Sequence, residues 1–344
     1  MSEINKKHPL YQEDLHNILK TEGIEALRDK SFLITGATGL IGTQLIDALM
    51  LLGNAIIYAV GRSKEKAQSR LGEYYDNPLF HFIEQDVTEP FSPDIHVDFI
   101  LPLASNTHPL AYSKYPIETM YINLKGAEHA LELARRCGAI VLYPSTVEVY
   151  GNARGTDVFT EDYTGLLNLS NSRACYTESK RANEALCQSY IAENGVIVKI
   201  VRLSRVFGPS VKTTDTKASS QFIQNAVNGE DIVLKSEGKQ YYSYTYVADV
   251  ISAMLFVLLH GKAGVPYNIS NKDCDVHLKD FAQACADYAG TKVIFDLPSD
   301  IERKGYSVAL TAIMDNSRLL DLGWNPQYAF EKAIERTIRI ISNK

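Results

Sequence analysis

Cysteine is scarce in this chain, and its spacing excludes two kinds of site. The 344 residues contain five cysteines, Cys137, Cys175, Cys187, Cys274 and Cys285, and no two form a C-x-x-C pair. That spacing fits neither a metal site nor a disulfide framework. We therefore expect reduced, mostly buried thiols, no bound metal and a cytoplasmic location.

Long apolar runs are missing as well. The longest one, around Ile251 to Leu259, is too short to cross a bilayer. The first seven residues, Met-Ser-Glu-Ile-Asn-Lys-Lys, have no apolar core of the kind a secretory signal needs. We expect no membrane partner.

Basic residues are too few for a nucleic-acid surface. Lys and Arg total 35 against 41 Asp and Glu, which gives a net charge of −6, and no basic cluster interrupts the sequence. A hydrophobic content of 45% and a charged content of 22% are ordinary for a globular protein. The length suffices for one large or two modest domains.

A glycine turn at residues 31–42 organises the rest of the chain. Apolar residues 32–34 predict a buried strand, Gly36, Gly39 and Gly42 follow, and an amphipathic helix pattern begins at Leu40. Such a turn directs backbone N–H groups and a helix N-terminus at one point, which suits a pyrophosphate. An ordinary strand-to-helix turn is the alternative, because three spaced glycines alone are a weak signal.

Strands and helices alternate over the first 200 residues. A leading helix is predicted over 9–29, strands over 55–60, 80–83, 97–101 and 139–143, and a helix over 117–136. This alternation predicts βαβ units and a doubly wound parallel sheet with ligands at the carboxyl ends of its strands. The polar clusters of the sequence lie at those ends.

The end of the second strand indicates the cofactor. An acidic residue there would hold a ribose 2′-hydroxyl, whereas an Arg accommodates a 2′-phosphate. Here the strand ends in Gly61-Arg62-Ser63. We predict NADP(H) in preference to NAD(H); the alternative is a merely solvated Arg62.

Tyr176 and Lys180 form the candidate catalytic pair. They lie four residues apart in a helical pattern and therefore share one face. An ammonium beside a phenol is expected to lower the Tyr pKa, so that Tyr176 can exchange a proton while a nicotinamide exchanges a hydride. Thr146, at the end of the fifth strand, is placed to hydrogen-bond the same oxygen.

Together these motifs resemble the extended short-chain dehydrogenase/reductases of the nucleotide-sugar epimerase/dehydratase group. The matching blocks are 36–42, Ser145-Thr-Val-Glu-Val-Tyr-Gly151, 176–180, Arg202-Leu-Ser-Arg-Val-Phe-Gly-Pro209 and Tyr246-Val-Ala-Asp-Val250. The run 171–181 is most similar to the UDP-glucuronate decarboxylase branch. The resemblance implies a Rossmann domain, a smaller substrate domain, a nucleotide-sugar substrate and a homodimer formed through helices near 117–136 and 176–193.

Two departures bear on the reaction. The decarboxylase branch has a Ser and an Arg where this chain has Val147 and Tyr242, and the dehydratases have an Asp at position 147. Glu148 remains, as a catalytic or a structural residue. Arg205 stands where relatives often have Asn, near the substrate diphosphate. One hypothesis is that Arg205 binds the phosphate in place of the Arg that is missing at position 242. The alternative is that Arg205 is an ordinary surface residue.

The predicted site follows from these motifs and the resemblance. The catalytic residues are Tyr176, Lys180, Thr146 and Glu148. The cofactor is bound by Gly36, Thr38, Gly39, Leu40, Ile41, Gly42, Arg62, Asp86, Val87, Leu103, Ala104, Asn123, Tyr176, Lys180 and Val206. The substrate is bound by Asn106, Arg173, Arg205, Tyr242 and Tyr244.

The C-terminal part is predicted to build a discontinuous substrate domain. Residues 1–207 and 245–270 are assigned to the NAD(P)-binding domain, and 208–244 and 271–344 to the substrate domain. Gly305-Tyr-Ser and the segment 318–324 are expected to cover the far side of the cleft. The tyrosines at 241–246 either stack on substrate or pack within a strand.

Three functions remain open. Net oxidation or reduction of a nucleotide-activated sugar is the first choice, because a 2′-phosphate site suits the reductive NADPH pool. An epimerase or decarboxylase-type enzyme that recycles its cofactor is the nearest alternative. A protein that senses NADP(H) without turnover is the third, and it would not need the Tyr176–Lys180 pair.

Overall fold

The computed structural model describes residues 4–92, 94–107, 109–153, 158–212, 215–296 and 310–342, without the side chains of 109–111. The predicted covering segment Gly305-Tyr-Ser lies outside them. Among the described residues, no helix is long and apolar enough to cross a membrane, and no group of acidic, His and Cys side chains has the arrangement of a metal site.

A seven-stranded parallel sheet forms the centre of the fold. Its strands are β1 (Ser31–Thr35), β2 (Ile56–Gly61), β3 (Phe80–Glu84), β4 (Phe99–Pro102), β5 (Ile140–Thr146), β7 (Val198–Leu203) and β11 (Pro266–Ile269). They lie side by side in the order β11-β7-β5-β4-β1-β2-β3. All six neighbouring pairs are parallel, so the carboxyl ends share one edge. The predicted doubly wound sheet is confirmed.

The described helices pack on the sheets and connect their strands. They are α1 (Pro9–Ile18), α2 (Leu40–Leu52), α3 (Lys64–Leu71), α4 (Pro109–Lys114), α5 (Pro116–Cys137), α6 (Ala174–Asn194), α7 (Ala218–Asn228), α8 (Val247–His260), α9 (Leu278–Ala289), α10 (Ser317–Leu322) and α11 (Phe330–Ser342). Apolar residues of α5 and α6 form one core cluster with the sheet, and those of α1, α2 and α8 belong to another. The two clusters pack on opposite faces because the strands are apolar on both.

A second sheet lies beside the first. It contains β6 (Val158–Phe159), β8 (Arg205–Phe207), β10 (Tyr241–Tyr246), β12 (Asp275–His277) and β14 (Thr311–Met314). In it β10 is paired with β8, β12 and β14. A separate parallel pair joins β9 (Ile232–Leu234) to β13 (Val293–Phe295). The division of the chain into two domains at the stated boundaries stays a prediction.

The leading helix is shorter than predicted. α1 ends at Ile18, and a 3₁₀ turn over Ile24–Leu27 follows. Gly23, which precedes that turn, has φ of +75°, in the left-handed region that an L side chain rarely adopts. The apolar periodicity of 9–29 therefore comes from two short helical segments that pack on the same core.

The segment 318–324 does not cover the cleft. Trp324 is buried, and its indole Nε1 donates to Ser252 Oγ on α8 at 3.0 Å. Arg318 pairs with Asp162 at 3.0 Å. Within residues 310–342, Ile341 is the one residue that lines the cleft. The segment packs instead on the side of α8 and β11, so this prediction is wrong.

Candidate active site

The glycine turn has the close backbone approaches that its spacing predicts. Gly36 has φ of +65°, and a Cβ there would lie 2.8 Å from the backbone N of Ala104. A Cβ on Gly42 would lie 2.5 Å from the carbonyl oxygen of Gly36. Gly39 caps α2 without a side-chain hydrogen bond, so the first N–H groups of α2 are open to a ligand. This cradle fits the diphosphate of a dinucleotide.

One large cavity, of about 1740 Å³, begins at this turn and continues across the carboxyl edge of the sheet. Most of the predicted site residues line it. They are Gly36, Thr38, Gly39, Leu40, Ile41, Gly42, Arg62, Leu103, Ala104, Asn106, Thr146, Glu148, Arg173, Tyr176, Lys180, Arg205, Val206, Tyr242 and Tyr244.

Three predicted cofactor residues lie outside the cavity lining. Asn123 is behind the wall: its Oδ1 accepts from Ser105 at 2.7 Å, and its Nδ2 donates to Ser179 at 2.8 Å. Asp86 accepts from the backbone and side chain of Thr88, and Val87 packs against α5. Asn123 therefore supports the wall through Ser105 and Ser179, and the predicted cofactor contacts of Asn123, Asp86 and Val87 stay predictions.

Thr146, Tyr176 and Lys180 all line the cavity. Thr146 ends β5, and its side chain is hydrogen-bonded to the Tyr176 hydroxyl. Lys180 lies one turn further along α6, and its Nζ donates to the carbonyl oxygen of Pro144 at 2.9 Å. All three side chains are buried and line the cavity. The arrangement places a phenol, a hydroxyl and an ammonium at one point of the wall.

The ionisation of this group differs from the prediction. Burial raises the pKa of Tyr176 above its ordinary value, the hydrogen bond with Thr146 lowers it in part, and the charge of Glu148 raises it. Burial also lowers the pKa of Lys180 to about 8. The expected low pKa of Tyr176 is therefore wrong for the protein's own groups, because desolvation by burial outweighs the hydrogen bond with Thr146.

A second tyrosine faces Tyr176, and the sequence reasoning missed it. The ring of Tyr112, on α4, is stacked on that of Tyr176 with 4.8 Å between the ring centroids. Tyr112 also lines the cavity. Nothing in the pattern of α4 separates this residue from the other tyrosines of the chain.

Arg205, Tyr242 and Glu148 form a second polar group in the wall. The Arg205 guanidinium carbon lies 3.5 Å from the centre of the Tyr242 ring, in a stacked cation–π contact. Its Nη2 is 3.6 Å from Glu148 Oε1. Tyr242 and Tyr244 are almost fully buried in β10, so their strand-packing and cavity-lining interpretations both apply.

Cations gather where the second strand ends. Arg62 donates to Glu118 at 3.1 Å and lies 3.8 Å from Asp86, so it is not merely solvated. Lys66, Arg70 and Lys212 also line this part of the cavity. Burial lowers the pKa of Lys212, and the charges of Arg70, Lys66 and Arg62 lower it further. Four cations therefore lie here, and Asp215, besides Glu118 and Asp86, is a carboxylate close to them.

The family follows from a sequence comparison. Residues 32–270, which include the glycine turn, the Tyr–Lys pair and Arg205, match the model of the NAD dependent epimerase/dehydratase family. The chain belongs to that family. The predicted short-chain dehydrogenase/reductase enzyme is thereby confirmed, and its dinucleotide cofactor is of the NAD(P) type.

Two named relatives of this chain are both UDP-glucuronic acid decarboxylases. The chain is 31% identical to UDP-glucuronic acid decarboxylase 1 of Xenopus tropicalis over 317 residues, which cover 90% of this chain and 71% of the relative. It is 34% identical to UDP-glucuronic acid decarboxylase 6 of Arabidopsis thaliana over 239 residues, 70% of this chain and 68% of the relative.

A solved structure supports the fold. The UDP-glucuronic acid 4-epimerase of Bacillus cereus, in complex with UDP-glucuronic acid and NAD, superposes with a TM-score of 0.76 at 20% identity and covers 91% of this chain and 99% of its own. At that identity the likeness concerns the fold alone. The family resemblance and the Rossmann-type sheet predicted from the sequence are both confirmed.

Proposed function

We propose that the protein oxidises and re-reduces a nucleotide-activated sugar and returns its cofactor unchanged, as an epimerase or decarboxylase-type enzyme. The observation that carries this proposal is the Thr146–Tyr176–Lys180 group in the cavity that begins at the glycine turn. The names of the relatives favour this alternative over net reduction or oxidation, which was the first choice from the sequence.

Each residue of the group has a separate task. A bound nicotinamide supplies a hydride acceptor and donor. Tyr176 takes the proton of the sugar hydroxyl as the carbon loses its hydride, and returns a proton when the carbonyl is reduced again. Thr146 hydrogen-bonds the reacting oxygen, and the Lys180 ammonium stabilises the phenolate and binds the nicotinamide ribose.

The test of this function is a product assay in which the oxidised and reduced forms of the cofactor are measured separately. The protein is incubated with UDP-glucuronate or UDP-glucose and a catalytic amount of NADP⁺, and products are followed by NMR. We expect product without net formation of reduced cofactor. Parallel incubations supply NADP⁺ or NADPH in excess over the substrate: stoichiometric formation of NADPH would instead indicate net oxidation, and stoichiometric consumption of NADPH net reduction. The absence of any product with any nucleotide sugar would favour the cofactor-sensing alternative.

We also propose a preference for NADP(H). Support comes from the absence of an acid at the end of β2 and from the cations Arg62, Lys66 and Arg70 in the cavity wall. NADP(H) should bind more tightly than NAD(H). Arg62→Gln should weaken NADP(H) binding about tenfold and leave NAD(H) binding unchanged.

Lys64→Gln is the matched control for that experiment, because Lys64 is exposed and does not line the cavity. It should leave both dissociation constants unchanged. Tighter binding of NAD(H) to the wild-type protein would contradict the proposed preference.

We also propose that the protein is a homodimer and that it is located in the cytoplasm. The predicted interface used α5 and α6, but the face of α5 that carries Ala127, Ala130, Leu131 and Ala134 is buried within the subunit. Ile117 and Tyr121 are exposed near the start of α5 and remain available to a second copy. Light scattering of the purified protein tests the dimer.

A further inference from the structure

The guanidinium of Arg205 has N–H donors without an acceptor among the described residues. It lines the cavity, yet among the described residues its nitrogens make no hydrogen bond, and Nη1 is buried without an acceptor. A guanidinium carries five N–H donors, and leaving those of the buried Nη1 without an acceptor is costly. Such an arrangement is poised for an acceptor that arrives from the cavity.

Arg202 shows what a structural arginine looks like in the same chain. Its Nε and Nη2 donate to Glu184 at 3.0 and 2.7 Å, and its Nη1 donates to Tyr150 and to the carbonyl oxygen of Glu161. All three nitrogens are used. Arg205 is three residues further on and uses none in this way.

The ring of Tyr242 is the platform that fixes the position of the Arg205 guanidinium. The guanidinium is stacked on the ring of Tyr242, which is buried on β10. Strands β8 and β10 are parallel neighbours, with Arg205 opposite Tyr244. The cation is therefore held in one place without any hydrogen bond to the protein, and its donors stay available.

Glu148 is only a weak ion-pair partner of Arg205. Its Oε1 is 3.6 Å from Nη2, which is too long for a hydrogen bond, and its side chain is 46% exposed. An exposed carboxylate at that distance contributes little and can move aside for a ligand. Glu148 also follows Thr146 by two residues, so this group adjoins the Tyr176 end of the cavity.

We infer that Arg205 binds an oxyanion of the substrate, on the Tyr242 platform and next to the reacting sugar. The inference rests on the proposed nucleotide-sugar function. The oxyanion is either the substrate's diphosphate or a carboxylate on its sugar, since both offer a guanidinium the same bidentate contact.

The experiment is calorimetric binding of UDP-glucuronate and UDP-glucose to the protein saturated with its cofactor. Arg205→Asn should weaken binding of the recognised ligand about tenfold or more. Loss with both ligands assigns Arg205 to the diphosphate, and loss with UDP-glucuronate alone assigns it to the carboxylate. Unchanged affinity for both overturns the inference.

Two further variants separate this role from a general defect. Arg135→Asn makes the same change at an exposed arginine on α5 and should leave binding unchanged. Combining Arg205→Asn with Tyr242→Arg places a guanidinium on the neighbouring strand, at the platform itself, and should recover most of the lost affinity. A double variant no better than Arg205→Asn contradicts the assigned position of the cation.

Failure of the proposed function gives a different result. A wild-type protein that binds its cofactor but binds neither UDP sugar, nor any other nucleoside diphosphate sugar, contradicts the nucleotide-sugar substrate, and the inference falls with it. Binding by the wild type together with an unaffected Arg205→Asn variant overturns the inference alone.

Discussion

At the scale of single residues, burial decides the chemistry of the site. The spacing of Tyr176 and Lys180 places both on one face of α6, and both line the cavity, but the lowered Tyr pKa expected from that spacing is wrong. Desolvation raises the pKa of the phenol and lowers that of the ammonium. The protein's own groups therefore keep Tyr176 protonated at neutral pH, and its action as a base needs further positive charge in the cavity.

Lys180 should set an alkaline limit to activity. Its pKa of about 8 means that the side chain is charged below that pH and loses its charge above it. We expect kcat to fall as pH rises through about 8, because the neutral amine no longer stabilises the phenolate. A pH–rate profile with saturating substrate and cofactor measures this.

Lys180→Arg tests the cause of that limit. The guanidinium stays charged throughout the accessible range, so the alkaline fall should disappear even though the absolute rate is lower. An unchanged alkaline fall in the Lys180→Arg variant would assign the titration to another group.

Sequence reasoning at this scale found the motif residues, Arg205 and Tyr242, but missed Tyr112 and the contact between Arg205 and Tyr242. Glycines, the Tyr–Lys spacing and Thr146 carry local signals that do not depend on distant contacts. Tyr112 reaches Tyr176 from another helix, and Arg205 reaches Tyr242 from another strand. Those contacts depend on tertiary register, which no local pattern encodes.

At the scale of elements, the two ends of the described chain are held together by a buried ion pair. Arg336 on α11 donates to Asp14 on α1 through Nη2 at 2.6 Å and through Nε at 2.9 Å, and both side chains are buried. The same guanidinium reaches Glu13 at 3.0 Å. This ion pair connects α1 to α11, in addition to the packing of α1 on the Rossmann core.

Arg336→Met should lower the free energy of unfolding by about 3–5 kcal/mol, because it leaves Asp14 buried without its partner. Urea denaturation followed by circular dichroism measures the change. Arg339→Met, which breaks an exposed pair with Glu335 on the same helix, should change stability by less than about 0.5 kcal/mol. Equal effects of the two variants would contradict this account.

Asp249 makes the start of α8 sensitive to pH. It accepts from the backbone N–H groups of Gln327 and Tyr328, but burial raises its pKa to about 7. The folded state therefore holds a proton that the unfolded chain releases near pH 4. Its contribution to stability is complete below about pH 4 and is lost as pH rises to about 7.

Asp249→Asn should flatten the dependence of unfolding free energy on pH between about 4 and 7, where the wild type loses about 3–4 kcal/mol through this group. Denaturation curves at several pH values measure the slope. Asp287→Asn, at an exposed position on α9, should keep the wild-type slope. An Asp249→Asn slope equal to that of the wild type would show that another group titrates.

Elements themselves were mostly predictable, and the exceptions have physical causes. The strands of the central sheet are short apolar runs bounded by turn residues, so their positions follow from local patterning. The leading helix was predicted too long because its apolar period continues across Gly23. The segment 318–324 was misplaced because its sequence does not show which element Trp324 packs against, and that element is α8.

At the scale of the whole molecule, the parallel topology brings the site together. Strands β1, β2, β4 and β5 end at one edge of the sheet, and each delivers a short polar stretch to the same cavity. Arg205 and the tyrosines of β10 reach that cavity from the second sheet. A nucleotide sugar bound along the second sheet would therefore present its sugar to Tyr176.

The kcat of Tyr176→Phe on the substrate identified by the product assay tests the central claim most directly. The account predicts a fall of about 100-fold or more, with cofactor affinity kept and with Tyr190→Phe on the same helix close to wild type. A Tyr176→Phe variant that turns over at the wild-type rate would contradict the assignment of Tyr176 as the general acid and base.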